Sequence, residues 1–176
     1  MTQVAAETQA LIPGKRALRS FVLRFAAIAV LLALVPFVPG WDGLLKSYLV
    51  CLAALVNGFL HLLGEPTRLH ENIVASNMYK VTLAPNCAAL EAAFFYSAAL
   101  LAFPAPPVRK LVGVVIGFVG IAAMNLLRVV TVFLAGVYWP SKVTALHEGL
   151  WPVLMIMGTV GLCAAWLCWA GGRRAA

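Results

Sequence analysis

An all-α polytopic membrane protein of about five hydrophobic helices, crossing the bilayer four to five times, is the fold class the sequence predicts, and three observations carry that prediction. Hydrophobic residues fill 63% of the 176 positions and charged residues only 11%, against the roughly 25% charged of a water-soluble domain. Apolar runs cover most of the chain after Ser20. The cations cluster at the ends of those runs: Lys15, Arg16, Arg19 and Arg24, then Arg109 and Lys110, then Arg173 and Arg174. Lipid is therefore the solvent, and helices are expected throughout because a span must satisfy its own backbone hydrogen bonds. The net charge of +7 reads as a set of topology determinants, so the partner it implies is the lipid bilayer and no nucleic acid.

A hydrocarbon core of about 30 Å needs roughly 20 apolar residues per helix, which gives candidates over 20–38, 43–63, 88–103, 110–138 and 149–170. Residues 1–18 form a basic cytoplasmic segment, the first fourteen or so of them disordered. Basic residues precede an apolar run from Phe25 to Phe37, as in a secretory signal, but Pro36, Pro39, Gly40 and Trp41 follow where a cleavage site would be. That pattern predicts an uncleaved signal anchor. The second candidate is the weakest span, since Lys46, Asn57 and His61 share one side of a helix.

Residues 64–86 are the longest polar stretch. Ile73 and Ala75, then Tyr79, Val81 and Leu83, flank Ser76-Asn77 as in a short surface hairpin. Arg109 and Lys110 assign the 104–110 loop to the cytoplasm, and the basic tail over 171–176 joins it. Residues 64–86 and 139–148 then face outward together. Four crossings plus a tilted or interfacial helix over 43–63 satisfy every basic cluster.

Cys51, Cys163 and Cys168 sit inside apolar runs, where cysteine packs as a small hydrophobe. Cys87 stands apart, after Pro85 and Asn86 and at the head of the third candidate helix. In the first turn of that helix, free N–H groups and the dipole favour a thiolate. Glu91 falls one turn later on the same face. Arg128 lies well inside the fourth candidate, where an ionisable residue is a functional hypothesis by default, with Asn125 three residues earlier on its face. A purely structural arginine would snorkel or pair with a carboxylate such as Glu91. His147, just before the last candidate, is on the side assigned to Cys87 and is able to trade protons near neutral pH. A nucleophile, a base and a cation from separate helices make one reaction centre.

Other motifs fail. His147-Glu148-Gly149-Leu150-Trp151 opens like a zinc-protease HExxH, but Trp151 stands where the second ligand belongs, so no metal site is expected. Gly113, Gly117 and Gly120 lack a preceding strand and read as close helix packing. No Gly-x-Ser-x-Gly elbow is present. The rival reading is a non-enzymatic membrane scaffold or transporter subunit with a buried Arg128–Glu91 pair.

Cysteine at the head of one span, Asn-x-x-Arg in the next (Asn125 to Arg128) and histidine before the last resembles the exosortase and archaeosortase family, most closely the exosortase H subgroup given the short chain and Glu91. The family usually has a small residue then glycine after the cysteine, where this chain has Ala88 and Ala89. The resemblance covers about residues 60–165 and implies one transmembrane domain over 19–170 in a bacterial cytoplasmic (inner) membrane, its site facing the periplasm. It implies a cysteine transpeptidase that recognises a C-terminal sorting signal on exported proteins: a short motif, here of Ile-Pro-Thr-Leu type, then an apolar helix and a basic tail. The catalytic roles fall on Cys87, Arg128 and His147, supported by Asn125, Glu91 and Asn86. No cofactor is called for.

Overall fold

Pro36 has no N–H to donate and fixes its own φ, so the first helix cannot run on through it. In the computed structural model, which describes residues 15–172, helix α1 (Lys15–Ala33) gives way there to a 3-10 turn (Val35–Phe37). Gly40, with a φ of 89° that suits glycine alone, then starts α2 (Trp41–Leu62). The expected disorder over residues 1–14 and the Arg173-Arg174 tail lie outside the described residues, as does the side chain of Asn86. After a small sheet come α3 (Leu90–Ala102), α4 (Pro107–Tyr138) and α5 (Trp151–Gly172). A 3-10 turn (Pro140–Lys142) and a π-helical turn (Ala145–Leu150) lead into α5 without a break.

The expected all-α membrane fold is borne out. Among the described residues, four helical stretches are long and apolar enough to cross a bilayer: Leu18–Phe37, Trp41–Leu62, Pro107–Tyr138 and Pro140–Ala170. Many of their large side chains, such as Leu31, Val119 and Ile156, are exposed, which is the arrangement lipid requires. Helix α3 has only 13 residues. It is apolar nearly all round, and such a helix belongs in the centre; α1, α4 and α5 pack about it and bury Tyr96, Ala98 and Leu100. Gly113 and Gly117 permit that packing. A Cβ at Gly117 would overlap the Tyr96 ring, and one at Gly113 would meet Trp166. Tyr96 closes the contact by donating its hydroxyl to the Gly113 carbonyl at 2.9 Å.

Helix α4 has 32 residues, about 48 Å at 1.5 Å each, more than a hydrocarbon core of about 30 Å spans. Its final turns extend beyond α3 and are covered by α2 and the sheet. A second core forms there from Leu49, Val56, Leu60, Val74, Leu83 and Phe133. Helix α2 begins beside the head of α3, with Trp41 against Phe94 and the Tyr48 hydroxyl donating to the Ala88 carbonyl at 3.2 Å. It ends where Glu65 accepts a hydrogen bond from Tyr138, at the last residue of α4. Helix α2, long and apolar enough to span, thus runs from the head of α3 to the last residue of α4. Its polar side carries the loop, with Lys46 3.5 Å from Glu71, Asn57 accepting from Thr67 and His61 2.8 Å from the Thr67 carbonyl.

The expected hairpin is present as β2 (Ile73–Ala75) and β3 (Lys80–Thr82), but β1 (Arg68–His70) joins it, making an antiparallel sheet of order β1-β2-β3. Strand β1 is exposed at every residue, so no apolar alternation announced it. Ser76 makes the β2–β3 turn, accepting from the Tyr79 and Met78 N–H groups on its hydroxyl. Tyr79 lays its ring edge-on against Phe133 and over Gly136, which fixes β3 on α4. Of the cysteines expected to pack, only Cys163 is half-buried against the α3–α5 core. Cys51 and Cys168 are exposed among the lipid-facing side chains.

Candidate active site

Strand β3 runs directly into the cysteine. Leu83 is fully buried, Ala84 is extended before Pro85, and Pro85–Cys87 form a 3-10 turn. The helix expected to open right after Asn86 opens instead at Leu90, because Ala89 adopts a left-handed conformation (φ 53°, ψ 22°) and turns the chain. Cys87 is therefore not in the first turn of α3, and Glu91 does not share a helical face with it. Ala89, left-handed without being glycine, holds this turn under strain.

Two bonds hold this turn from behind. Asn125, fully buried on α4, donates its Nδ2 to the Cys87 carbonyl at 2.7 Å, while its Oδ1 has no partner. Tyr48 holds the next carbonyl, that of Ala88. Asn125 was legible as a polar residue in an apolar span. Tyr48 was missed, though a phenol in an apolar run carries the same signal, a polar tip in need of a partner.

One turn beyond Asn125, the Arg128 Nη2 lies 3.2 Å from His147 Nε2. Arginine only donates, so the imidazole nitrogen accepts and the ring hydrogen sits on Nδ1. His147 is carried by the π-helical turn, a local widening of the helix common at functional sites. Trp151 anchors that turn, donating to the Thr131 hydroxyl at 2.9 Å, which itself donates to the Leu127 and Arg128 carbonyls at 2.8 and 3.0 Å. The residue that breaks the zinc-protease pattern is thus a brace between α4 and α5.

Cys87, Arg128 and His147 line one cavity of about 20 Å³, closed by Val81, Leu83, Val129 and Val132. Such a void admits a single water molecule. Arg128 also lines a second, open groove of about 540 Å³ between α3 and α5, together with Glu91, Phe95, Ile156 and Val160. Arg128 therefore sits where the small cavity meets the larger groove. The Glu91 pairing considered for Arg128 is not made: among the described residues the one ion pair within 4.0 Å is Lys46–Glu71, and Glu91 is exposed.

No curated protein and no solved structure matches the chain. The family model for transmembrane exosortases matches residues 9–168, a stretch that takes in the sheet, the Cys87 turn, Arg128 and the π-helical turn. On that match, which covers nearly its whole length, the chain belongs to the transmembrane exosortase family.

Proposed function

We propose that the chain is a membrane-embedded cysteine transpeptidase that cleaves a C-terminal sorting signal on exported proteins at a Cys87–His147–Arg128 centre. Membership of the exosortase family supports a sorting role in general. The observation that carries the specific reading is that Arg128 touches His147 in a cavity Cys87 also lines.

The chemistry follows from what each group can do. The Cys87 sulfur attacks the scissile carbonyl carbon, and the carbonyl electron pair moves to oxygen. Arg128 donates hydrogen bonds to that oxyanion, and a planar guanidinium that keeps its charge in an apolar setting suits the task. In doing so it releases His147 Nε2, which takes the Cys87 thiol proton as the new S–C bond forms. The tetrahedral centre collapses, the C–N bond breaks, and His147 delivers the proton to the departing amine. An acceptor amine next loses its proton to His147, attacks the thioester and expels the Cys87 thiolate, which takes that proton back from His147. The open groove at Arg128, mostly apolar, suits the substrate's own helix arriving from the lipid. On this reading the protein is multi-pass in a bacterial cytoplasmic membrane with the site facing the periplasm, and the short motif is of Ile-Pro-Thr-Leu type. Asn125 supports the centre through the Cys87 carbonyl, Glu91 through the rim of the groove, and Asn86 through its place in the Pro85–Cys87 turn.

The test is coexpression with an exported reporter ending in that motif, an apolar helix and a basic tail. Wild type shortens the reporter, and Cys87→Ala, Arg128→Ala and His147→Ala leave it intact while accumulating normally in the membrane. An unprocessed reporter with wild type, or processing by Cys87→Ala, contradicts the proposal. A second reading, hydrolysis in place of transfer, is favoured by the one-water cavity beside Cys87. The mass of the reporter's new C-terminus distinguishes a free carboxylate from an acceptor adduct.

A further inference from the structure

The register of the sheet decides where each backbone group of β3 points. Leu83 N–H donates to the Asn72 carbonyl at 2.9 Å and Ser76 N–H to the Tyr79 carbonyl at 2.8 Å. Bonded and non-bonded pairs alternate along an antiparallel ladder. Val74–Val81 is then a bonded pair, while Ile73–Thr82 and Ala75–Lys80 are non-bonded pairs. The N–H and C=O groups of Lys80 and Thr82 therefore point off the sheet. Strand β2 lies in the middle and β1 covers its other side. Among the described residues, no backbone hydrogen bond outside the sheet's own ladders reaches those four outward groups.

The location of this edge gives it meaning. Strands β1 and β2 lie on α2, and β3 lies on α4. The same helix α4 also touches α5 and the π-helical turn that carries His147. Val81 and Leu83 line the cavity shared by Cys87, Arg128 and His147. The strand whose outer edge is open thus supplies two side chains to the wall of the cavity that His147 of the π-helical turn also lines. Unpaired strand edges are templates for another extended chain, and β-strand addition supplies main-chain affinity with little demand on sequence.

We propose, on the footing of the transpeptidase reading, that the substrate segment preceding the scissile bond binds as an added strand on the outer edge of β3, through the backbone of Lys80 and Thr82. The bond to be cut then emerges from the strand at the mouth of the Cys87 cavity.

Proline at residue 82 removes an outward N–H that the sheet itself does not use, so the sheet tolerates it. Thr82→Pro is expected to slow reporter processing at least about tenfold, as loss of edge hydrogen bonds and a ring in the path of the added strand require. Leu69→Pro, the same change on the outward edge of β1, is expected to stay within about threefold of wild type. Equal rates for Thr82→Pro and wild type, or equal losses in the two variants, overturn the proposal. A second measurement needs neither turnover nor proline. In a Cys87→Ser background, Thr82→Cys is cross-linked by oxidation to reporters with single cysteines at successive positions before the scissile bond. Strong cross-links at every second position support an added strand; uniform or absent cross-linking overturns it. Processing by Cys87→Ala would sink the transpeptidase reading instead, and the cross-linking pattern would still decide the strand.

Discussion

Replacing Asn125 with leucine separates the positioning of the nucleophile from the stability of the bundle. The amide makes one bond, Nδ2 to the Cys87 carbonyl at 2.7 Å, and its Oδ1 is buried without a partner. Leucine keeps the branching and the number of side-chain heavy atoms, so no cavity forms. Loss of the bond costs about 0.5–1.5 kcal/mol, and the orphaned Cys87 carbonyl about 1–3 kcal/mol more. Removal of the orphaned Oδ1 returns a cost of the same kind, which leaves about 0.5–1.5 kcal/mol net. Against a total stability of about 5–15 kcal/mol the protein stays folded. The rate is more sensitive. With its carbonyl released, the Cys87 turn loses one of the two bonds that hold it from behind, and a misplacement of about 1 Å costs about 10²-fold. The assay is reporter processing by purified protein in detergent, with thermal unfolding measured on the same sample. The expected result is a melting temperature lower by about 5 °C, a kcat lower by about 10²-fold and an unchanged KM. Processing within threefold of wild type would refute the idea that Asn125 positions the cysteine.

Ala89→Gly relieves a left-handed alanine, a conformation that costs about 1–2 kcal/mol without glycine; the variant should melt a few degrees higher and process at least as fast, and a lower melting temperature would count against the strained turn. Gly117→Ala drives a methyl into the Tyr96 ring, which its bond to Gly113 keeps from retreating, so thermal unfolding should show a loss of about 1–3 kcal/mol, and an unchanged melting temperature contradicts the close α3–α4 approach. Arg128→Lys keeps the charge but replaces a planar fork with a point donor; kcat should fall by about 10²-fold with accumulation in the membrane unaffected, and a wild-type rate would remove the guanidinium from the mechanism.

The helices were legible because lipid writes its demand into long apolar runs, and the gaps between runs fixed the order of Cys87, Arg128 and His147 along the bundle. What escaped the sequence depends on contacts between distant residues. The start of α3 was placed too early because Ala88-Ala89 carries helix-favouring chemistry, and only the tertiary bonds from Asn125 and Tyr48 to the Cys87 and Ala88 carbonyls show why the turn departs from it. Strand β1 has no inward-facing residue to mark it. The π-helical turn at Ala145–Leu150 has no composition cue, and its brace, Trp151 on Thr131, joins residues 20 positions apart. A carboxylate was the natural partner to consider for a membrane-embedded arginine. The partner is His147 instead: Arg128 and Glu91 both border the groove, but the guanidinium reaches the imidazole across the small cavity, 3.2 Å away.

Trapping the acyl-enzyme tests most directly whether Cys87, Arg128 and His147 act on one peptide bond. Hydroxylamine added to wild type and reporter should yield a reporter hydroxamate by mass analysis, and the Cys87 peptide should carry the reporter's acyl group as a thioester when no acceptor is supplied. Cleavage without hydroxamate, or hydroxamate formed by Cys87→Ala, would contradict the account.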